Sequence, residues 1–357
     1  MASATDLHQL DCGPATAPAA TAPRATVVIP ARNEAGTIGA CLQALAVQTI
    51  GAAHLEVIVV AAGSDDTAAA AARHGEHFGR FEVATLAAGN KNAALQLGCA
   101  RAHADMIVLL DADTELEPPA LSELEQMLAR NPRIVAHGAA RPRLDTWVSR
   151  YWELNRRLHK DLHFDRTLSG EFVALPRAAL PPAALPVLLP ATIGSKDDLY
   201  LGRALQAEGW EITYAPRARA TTMVPWTLGG LLATMLRNRR GAMAIVPLTA
   251  AARQAAASAV LLAALPAALV AARWSIALAL ACAAPLLAYA AACGWRIEAL
   301  RRRGLGDYRR ALPQYLLLDL VGRALKLWAF GERLRGRAAP RTFRGGRLDS
   351  LAVARER

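Results

Sequence analysis

Apolar positions along this chain follow two textures that change near residue 240. Before it, short apolar runs alternate with stretches of helical spacing. TVVIP (26–30) is a β-branched run, and RNEAGTIGACLQAL follows with apolar residues placed along one helical face. HLEVIVVAAG predicts a second strand, and SDDTAAAAARHG a turn opening a helix with acids at its positive end. FEVATL predicts a third strand, 89–104 another helix, and 105–110 a strand closing on MIVLL. Strands alternating with helices imply an α/β fold with a doubly wound, largely parallel sheet, whose ligands bind beyond the carboxyl ends of the strands. Residues 118–240 are mixed, with a proline-rich connection at LPPAALPVLLPA.

Beyond Arg240 the runs lengthen. Residues 255–272 and 275–293 each hold about 18–19 residues without a charge, near the length that spans a bilayer. Only Arg273 and Trp274 separate them, as in a tight transmembrane hairpin. Arginines flank both outer ends: Arg237, Arg239, Arg240 and Arg253 before, and Arg296, Arg301, Arg302, Arg303, Arg309 and Arg310 after. The positive-inside rule places both flanks on the cytoplasmic side, in the inner membrane of the cell, with the catalytic part cytoplasmic. Residues 315–330 mix apolar positions with Asp319, Arg323 and Lys326, which suits an amphipathic helix, over about 312–331, lying in the interface. The division expected is a flexible tail at 1–23, a catalytic domain at 24–240, a membrane region at 241–331 and a basic tail at 332–357.

Charge changes the picture little. The net charge is +11, yet the basic residues crowd around the long apolar stretches without interleaved aromatics, which favours a membrane surface over nucleic acid. The cysteines (Cys12, Cys41, Cys99, Cys282, Cys293) are odd in number and scattered, excluding a disulfide framework and a zinc cluster and indicating a reduced compartment. The N-terminal stretch lacks a basic start followed by an apolar run, so no cleavable signal is read there.

The candidate chemistry begins where the run 106–110 ends on Asp111 and Asp113. Residues i and i+2 of a strand point to one side, so both carboxylates can face one ligand. Paired hard oxygens suit Mg²⁺ or Mn²⁺, ions usually shared with substrate phosphates. Neither a G-x-G-x-x-G after the first strand nor a P-loop occurs. His159 and His163 share a helix face at i, i+4, but Lys160 stands where a zinc protease motif needs glutamate. Asp197 and Asp198 open a further predicted helix, as dipole-complementing acids or as a catalytic base.

Over residues 24–240 the chain resembles the family 2 glycosyltransferases, which share the GT-A fold, a doubly wound mixed sheet, and transfer sugar from a nucleotide-diphosphate donor. VVIPARNEAGTIGACLQAL is similar to the family's opening strand and helix, EVIVVAAGSDDT to its second strand, GNKNAALQLGCARAHADMIVLLDADTELEP to its lysine helix and Asp-x-Asp block, and KDDLYLGRALQAEGW to its acidic block. The resemblance implies that Pro30, Asn33, Glu34, Lys91 and Asp111 face the donor, a UDP- or GDP-sugar. It further implies that Asp113, with Asp111, binds the metal, and that Asp198 beside Asp197 supplies the base.

Departures from the family pattern are equally specific. Ala61 and Ala62 stand where the family has a base-recognising aspartate, leaving Asp65 and Asp66 to compensate. The family's Q-x-x-R-W block survives only as MLRNRRGA, with Arg239 or Arg240 left to grip the diphosphate. SGEFVALPRAAL matches the acceptor side loosely, with Glu171 either touching the acceptor or exposed. The expectation is an inverting, membrane-anchored glycosyltransferase with a lipid or lipid-linked acceptor. The alternatives are a transferase acting on soluble or exopolysaccharide acceptors, and a non-catalytic protein that binds nucleotides or anionic lipid.

Overall fold

The structure, a computed structural model, describes residues 22–87, 90–162, 164 and 166–336. Most of the expected N-terminal tail, the basic tail beyond 336, and His163 of the histidine pair lie outside those residues. In chain order the elements of the first half are β1 (Ala25–Arg32), α1 (Ile38–Ala46), β2 (Leu55–Ala62), α2 (Thr67–Ala72), β3 (Arg80–Leu86), α3 (Lys91–Ala100), β4 (Met106–Leu110), β5 (Thr114–Leu116), α4 (Ala120–Arg130) and β6 (Ile134–Pro142). There follow α5 (Trp147–His159), β7 (Phe172–Pro176), α6 (Leu185–Leu188), α7 (Asp197–Ala207), β8 (Glu211–Thr222), α8 (Leu228–Ile245), α9 (Leu248–Ala271), α10 (Ile276–Arg302) and α11 (Leu312–Leu334).

The strands form one sheet in the order β3-β2-β1-β4-β7-β6-β8-β5. β3, β2, β1 and β4 run parallel, as the alternation predicts, but β7 enters antiparallel between β4 and β6, so the sheet is mixed. Both faces are buried. Val27, Ile29, Val57, Val59, Val108 and Leu110 point into one apolar cluster, and Val28, Ile107 and Leu109 into another. That two-residue alternation is why the strand sequences read as unbroken apolar runs. α3 packs close on the second face: a Cβ on Gly98 would lie 2.3 Å from Val28 Cγ1, so only glycine lets the helix approach this near. This close seat brings Lys91, the first residue of α3, to the carboxyl end of β4.

The C-terminal helices differ from the expected spans in length, and for a packing reason. α8 crosses residue 240 unbroken, capped at its start by the Thr227 side chain. α10 continues to Arg302 because Cys293, Ile297 and Leu300 leave the apolar hairpin and pack with Val148, Tyr151, Leu154 and Leu158 of α5. Leu231 and Met235 of α8 and Tyr315 and Leu318 of α11 complete that cluster, which ties the sheet domain to the C-terminal helices. α9 and α10 are long and apolar enough to cross a membrane, with mean hydropathy 1.9 and 2.1 over their most apolar windows. Only 28% and 6% of those windows are buried, unlike the core helices of a water-soluble fold.

Candidate active site

The strand-end turns of β1, β2 and β4 converge on one edge of the sheet. Asp111, Ala112 and Asp113 do not continue the strand, as their spacing suggested, but form a turn closed by Thr114 N–H donating to Asp111 O at 3.1 Å. Asp111 N–H donates to Glu171 O at 3.0 Å, which extends the β4–β7 ladder by a residue and fixes the turn. The turn, not a strand pleat, directs both carboxylates to the same place.

Two cavities meet there. One, of about 420 Å³, is lined by Pro30, Arg32, Glu34, Val60 and Asn90 on the β1–β2 side. The other, of about 650 Å³, lies between Trp152, Glu171, Asp198, the 222–227 segment and α8. Lys91, Asp111, Asp113, Gly194 and Asp197 line both. The wall between the cavities is therefore acidic, with one lysine in it.

Lys91 Nζ stands 2.5 Å from Asp111 Oδ1 and 3.6 Å from Asp197 Oδ2. Burial works against the lysine charge, but the surrounding aspartates outweigh it and its pKa is raised. Burial also raises Asp111, Asp113 and Asp198, against the opposing pull of Lys91 on the first two and Lys196 on the third. Lys91, Asp111, Asp113 and Asp198 thus each hold a proton more tightly than in water, the three carboxyls chiefly because burial disfavours their charge. Among the described residues no three His, Cys, Asp or Glu side chains form a ready cage, so a cation on Asp111 and Asp113 needs oxygens from a ligand. Two hard oxygen donors on a wall shared by two open cavities fit Mg²⁺ or Mn²⁺ shared with phosphates.

The proposed donor residues divide. Pro30 and Glu34 line the smaller cavity, whereas Asn33 is used structurally: its backbone is left-handed (φ 57°) and its Oδ1 accepts from Ser64 N–H at 2.9 Å. Asp65 accepts from Ala35 N–H at 3.0 Å and from Thr67 N–H and Oγ1, holding the β1 and β2 turns together. Neither Asp65 nor Asp66 lines either cavity. Arg239 and Arg240 are not brought to the site. Arg240 pairs with Glu332 of α11 at 2.7 Å, and the Arg239 guanidinium lies 3.4 Å from where a Cβ on Gly322 of α11 would stand. The cavity instead receives Arg237 and Asn238, with Gly230 and Thr234 on the same face of α8. The spacing 230, 234, 237, 238 follows the helical period and was available in the sequence.

Asp197 and Asp198 do open α7, as expected. The residue before them, Lys196, is left-handed (φ 62°), and its Nζ is 4.0 Å from Asp198 Oδ2. Glu171 is half-buried beside Gly170 rather than exposed: Arg156 Nη1 donates to its Oε1 at 3.0 Å. Burial opposes its charge, but Arg156, a backbone hydrogen bond and His137 together outweigh the burial, and the carboxyl is held below its usual range. The Arg156 pairing crosses from α5 to the loop before β7, a contact no local sequence signal announces.

Comparison with known proteins agrees with this geometry. Residues 26–179 match the profile of Glycosyl transferase family 2. An N-acetylglucosaminyltransferase from Mesorhizobium japonicum is 30% identical over 240 residues, covering 61% of this chain and 55% of that protein. Another from a Rhizobium species is 30% identical over 244 residues, covering 61% and 52%. The chain thus spans about half the length of these curated relatives. A mannosyltransferase from Pyrobaculum calidifontis, solved in complex with GDP-Man and Mn²⁺, superposes with a TM-score of 0.56 at 22% identity, over 88% of each chain. Residues 26–179 are thus similar to Glycosyl transferase family 2, and the superposition shows that the chain has a GT-A fold.

Proposed function

We propose that the protein is an inverting glycosyltransferase moving a sugar from a nucleotide-diphosphate donor to a lipid or lipid-linked acceptor at the cytoplasmic membrane face. The observation that carries the reading is the acidic wall of Asp111, Asp113 and Asp197 with Lys91, shared by two cavities. In this reading the donor diphosphate sits at the junction, the nucleotide toward Pro30 and Glu34, and the acceptor in the larger cavity beside Asp198. The Pyrobaculum mannosyltransferase holds GDP-Man and Mn²⁺, and the curated relatives are named for N-acetylglucosamine, so UDP- and GDP-sugars are both candidate donors.

In this reading Asp198 removes the proton of an acceptor hydroxyl as its oxygen attacks the anomeric carbon from the face opposite the diphosphate. The glycosidic carbon–oxygen bond to phosphate breaks with its electron pair leaving on the diphosphate, where Lys91 and Arg237 are placed to offset the charge. A divalent cation held by Asp111 and Asp113 would supply further charge stabilisation there. α9 and α10 form the membrane hairpin, with Arg273 and Trp274 at its outer tip and the arginine-rich ends cytoplasmic. A binding protein without chemistry has no use for a half-buried carboxylate of raised pKa beside an open cavity, which disfavours the non-catalytic alternative.

The test is incubation of purified full-length protein with UDP- and GDP-sugars, Mn²⁺ and extracted membrane lipids. Radiolabel should pass from one donor into the lipid phase. Label entering only water-soluble glycans would replace the lipid acceptor with a soluble one. Neither transfer nor donor hydrolysis from any donor would sink the assignment.

A further inference from the structure

The exposed apolar side chains of this molecule are not spread evenly. Between residues 22 and 240 the large ones are Val47, Leu144, Trp147, Trp226 and Leu228. Among the described residues all the others lie on α9 to α11 or the short turn between α9 and α10. Four of the five in the sheet domain come from two segments far apart in sequence that the fold brings together. Thr146 Oγ1 donates to Trp226 O at 3.4 Å, and the Thr146–Ser149 capping box fixes the start of α5 beside that strand end. Burying such residues is favourable by about 25 cal/mol per Å², so a gathered, water-exposed set needs a partner.

Their position identifies it. Trp226 is 51% exposed yet also lines the larger cavity, so it spans from the cavity to the outer surface. On this side the cavity wall is apolar, formed by Trp152, Met223, Val224 and Pro225, facing the carboxylate wall. Leu228 begins α8, and α8 hands the chain to the membrane-length helix α9 across only Val246 and Pro247. The exposed set and the apolar hairpin thus lie at the two ends of one 18-residue helix, α8.

We infer that Leu144, Trp147, Trp226 and Leu228 form a rim that seats the hydrocarbon chain of a membrane lipid, admitting the acceptor head group to the cavity from the bilayer. Tryptophan suits this place because its amphipathic ring favours the membrane interface. The inference rests on the proposed membrane location and extends it, since a hairpin alone would anchor the enzyme without orienting its cavity mouth.

The test uses full-length protein in nanodiscs of phosphatidylglycerol and a phosphatidylcholine carrying a diazirine within one acyl chain. After irradiation, adducts are mapped by mass spectrometry. The inference predicts adducts at residues 144–147 and 226–228 as well as on α9 and α10, and none at Val47, which is equally apolar and exposed. Adducts on α9 and α10 with a clean rim would overturn the rim while leaving the membrane reading intact. No adducts on α9 or α10 would remove the membrane location, and the rim with it. Adducts at Val47 comparable to the rim would reduce the rim to nonspecific lipid contact.

Discussion

Asp198→Asn separates chemistry from binding at one atom. Asn keeps the side chain's size and the Oδ1 that accepts from Leu199 N–H at 2.8 Å, so α7 should start unchanged. Lys196 Nζ lies 4.0 Å from Oδ2, a long ion pair, and the negative charges of Asp197 and Glu171 act on the same carboxyl, so it is weakly neutralised. General-base catalysis supplies about 10²- to 10⁴-fold, or roughly 2.7–5.4 kcal/mol of barrier, and transfer should fall by that factor. Donor KM should change little, because Asp198 lines the acceptor cavity and not the smaller one. Asp197 stands on the shared wall 3.6 Å from Lys91, so Asp197→Asn should chiefly raise donor KM. Burial raises the Asp198 pKa above 3.8, and only the deprotonated form is a base. The wild-type rate must therefore decline, as pH falls, at a higher pH than an ordinary aspartate would set. The assay is initial-rate transfer from the best donor, measured from acid to neutral pH. Near-normal turnover in Asp198→Asn with loss in Asp197→Asn would move the base one residue earlier; activity in both would refute the catalytic reading of this helix start.

Arg237→Ala should lower turnover by at least tenfold, about 1.4 kcal/mol, while Arg240→Ala, which breaks only an exposed pair with Glu332, should leave kinetics within about twofold. In a cysteine-free background, Arg273→Cys should react with an impermeant maleimide outside intact spheroplasts and Arg302→Cys should not; equal labelling would contradict the hairpin topology. His137 is fully buried, and burial, with Lys160 and Arg156 nearby, depresses its pKa to about 3. The unfolded chain takes up that proton near pH 6.5, so stability is lost as pH falls from there toward 3. Melting temperatures of His137→Leu should therefore fall less steeply over that window than wild type, and parallel curves would refute it.

The parts of the fold legible in the sequence are those where one residue's neighbours decide its place. The runs at 26–30 and 105–110 read as strands because both their faces are buried, and the Asp111–Asp113 pair followed from where the last run ends. Its cause was misread: a turn held by Thr114 and Glu171 aims the carboxylates, and Glu171 is distant in sequence. β8 escaped the reading because its polar residues, including Arg217 and Arg219, stay exposed while Ala215, Ala218 and Ala220 are buried, so no apolar run marks it. On α8 the arginines were legible but their choice was not. Which one reaches the cavity depends on the face α11 covers, and Gly322 and Glu332 draw Arg239 and Arg240 away from the face that carries Arg237. The end of α10 likewise depends on docking against α5, which no hydropathy pattern records.

The central claim is that Asp111 and Asp113 hold a divalent cation that in turn holds a nucleotide-diphosphate donor. Calorimetric titration of UDP and GDP into the full-length protein, with Mn²⁺ and with chelator, tests it in wild type and Asp113→Asn. The account predicts that one nucleotide binds wild type only with Mn²⁺, and that Asp113→Asn loses this binding while its melting temperature without ligand is unchanged. Equal affinity with and without Mn²⁺, or undiminished Mn²⁺-dependent binding in Asp113→Asn, would contradict it.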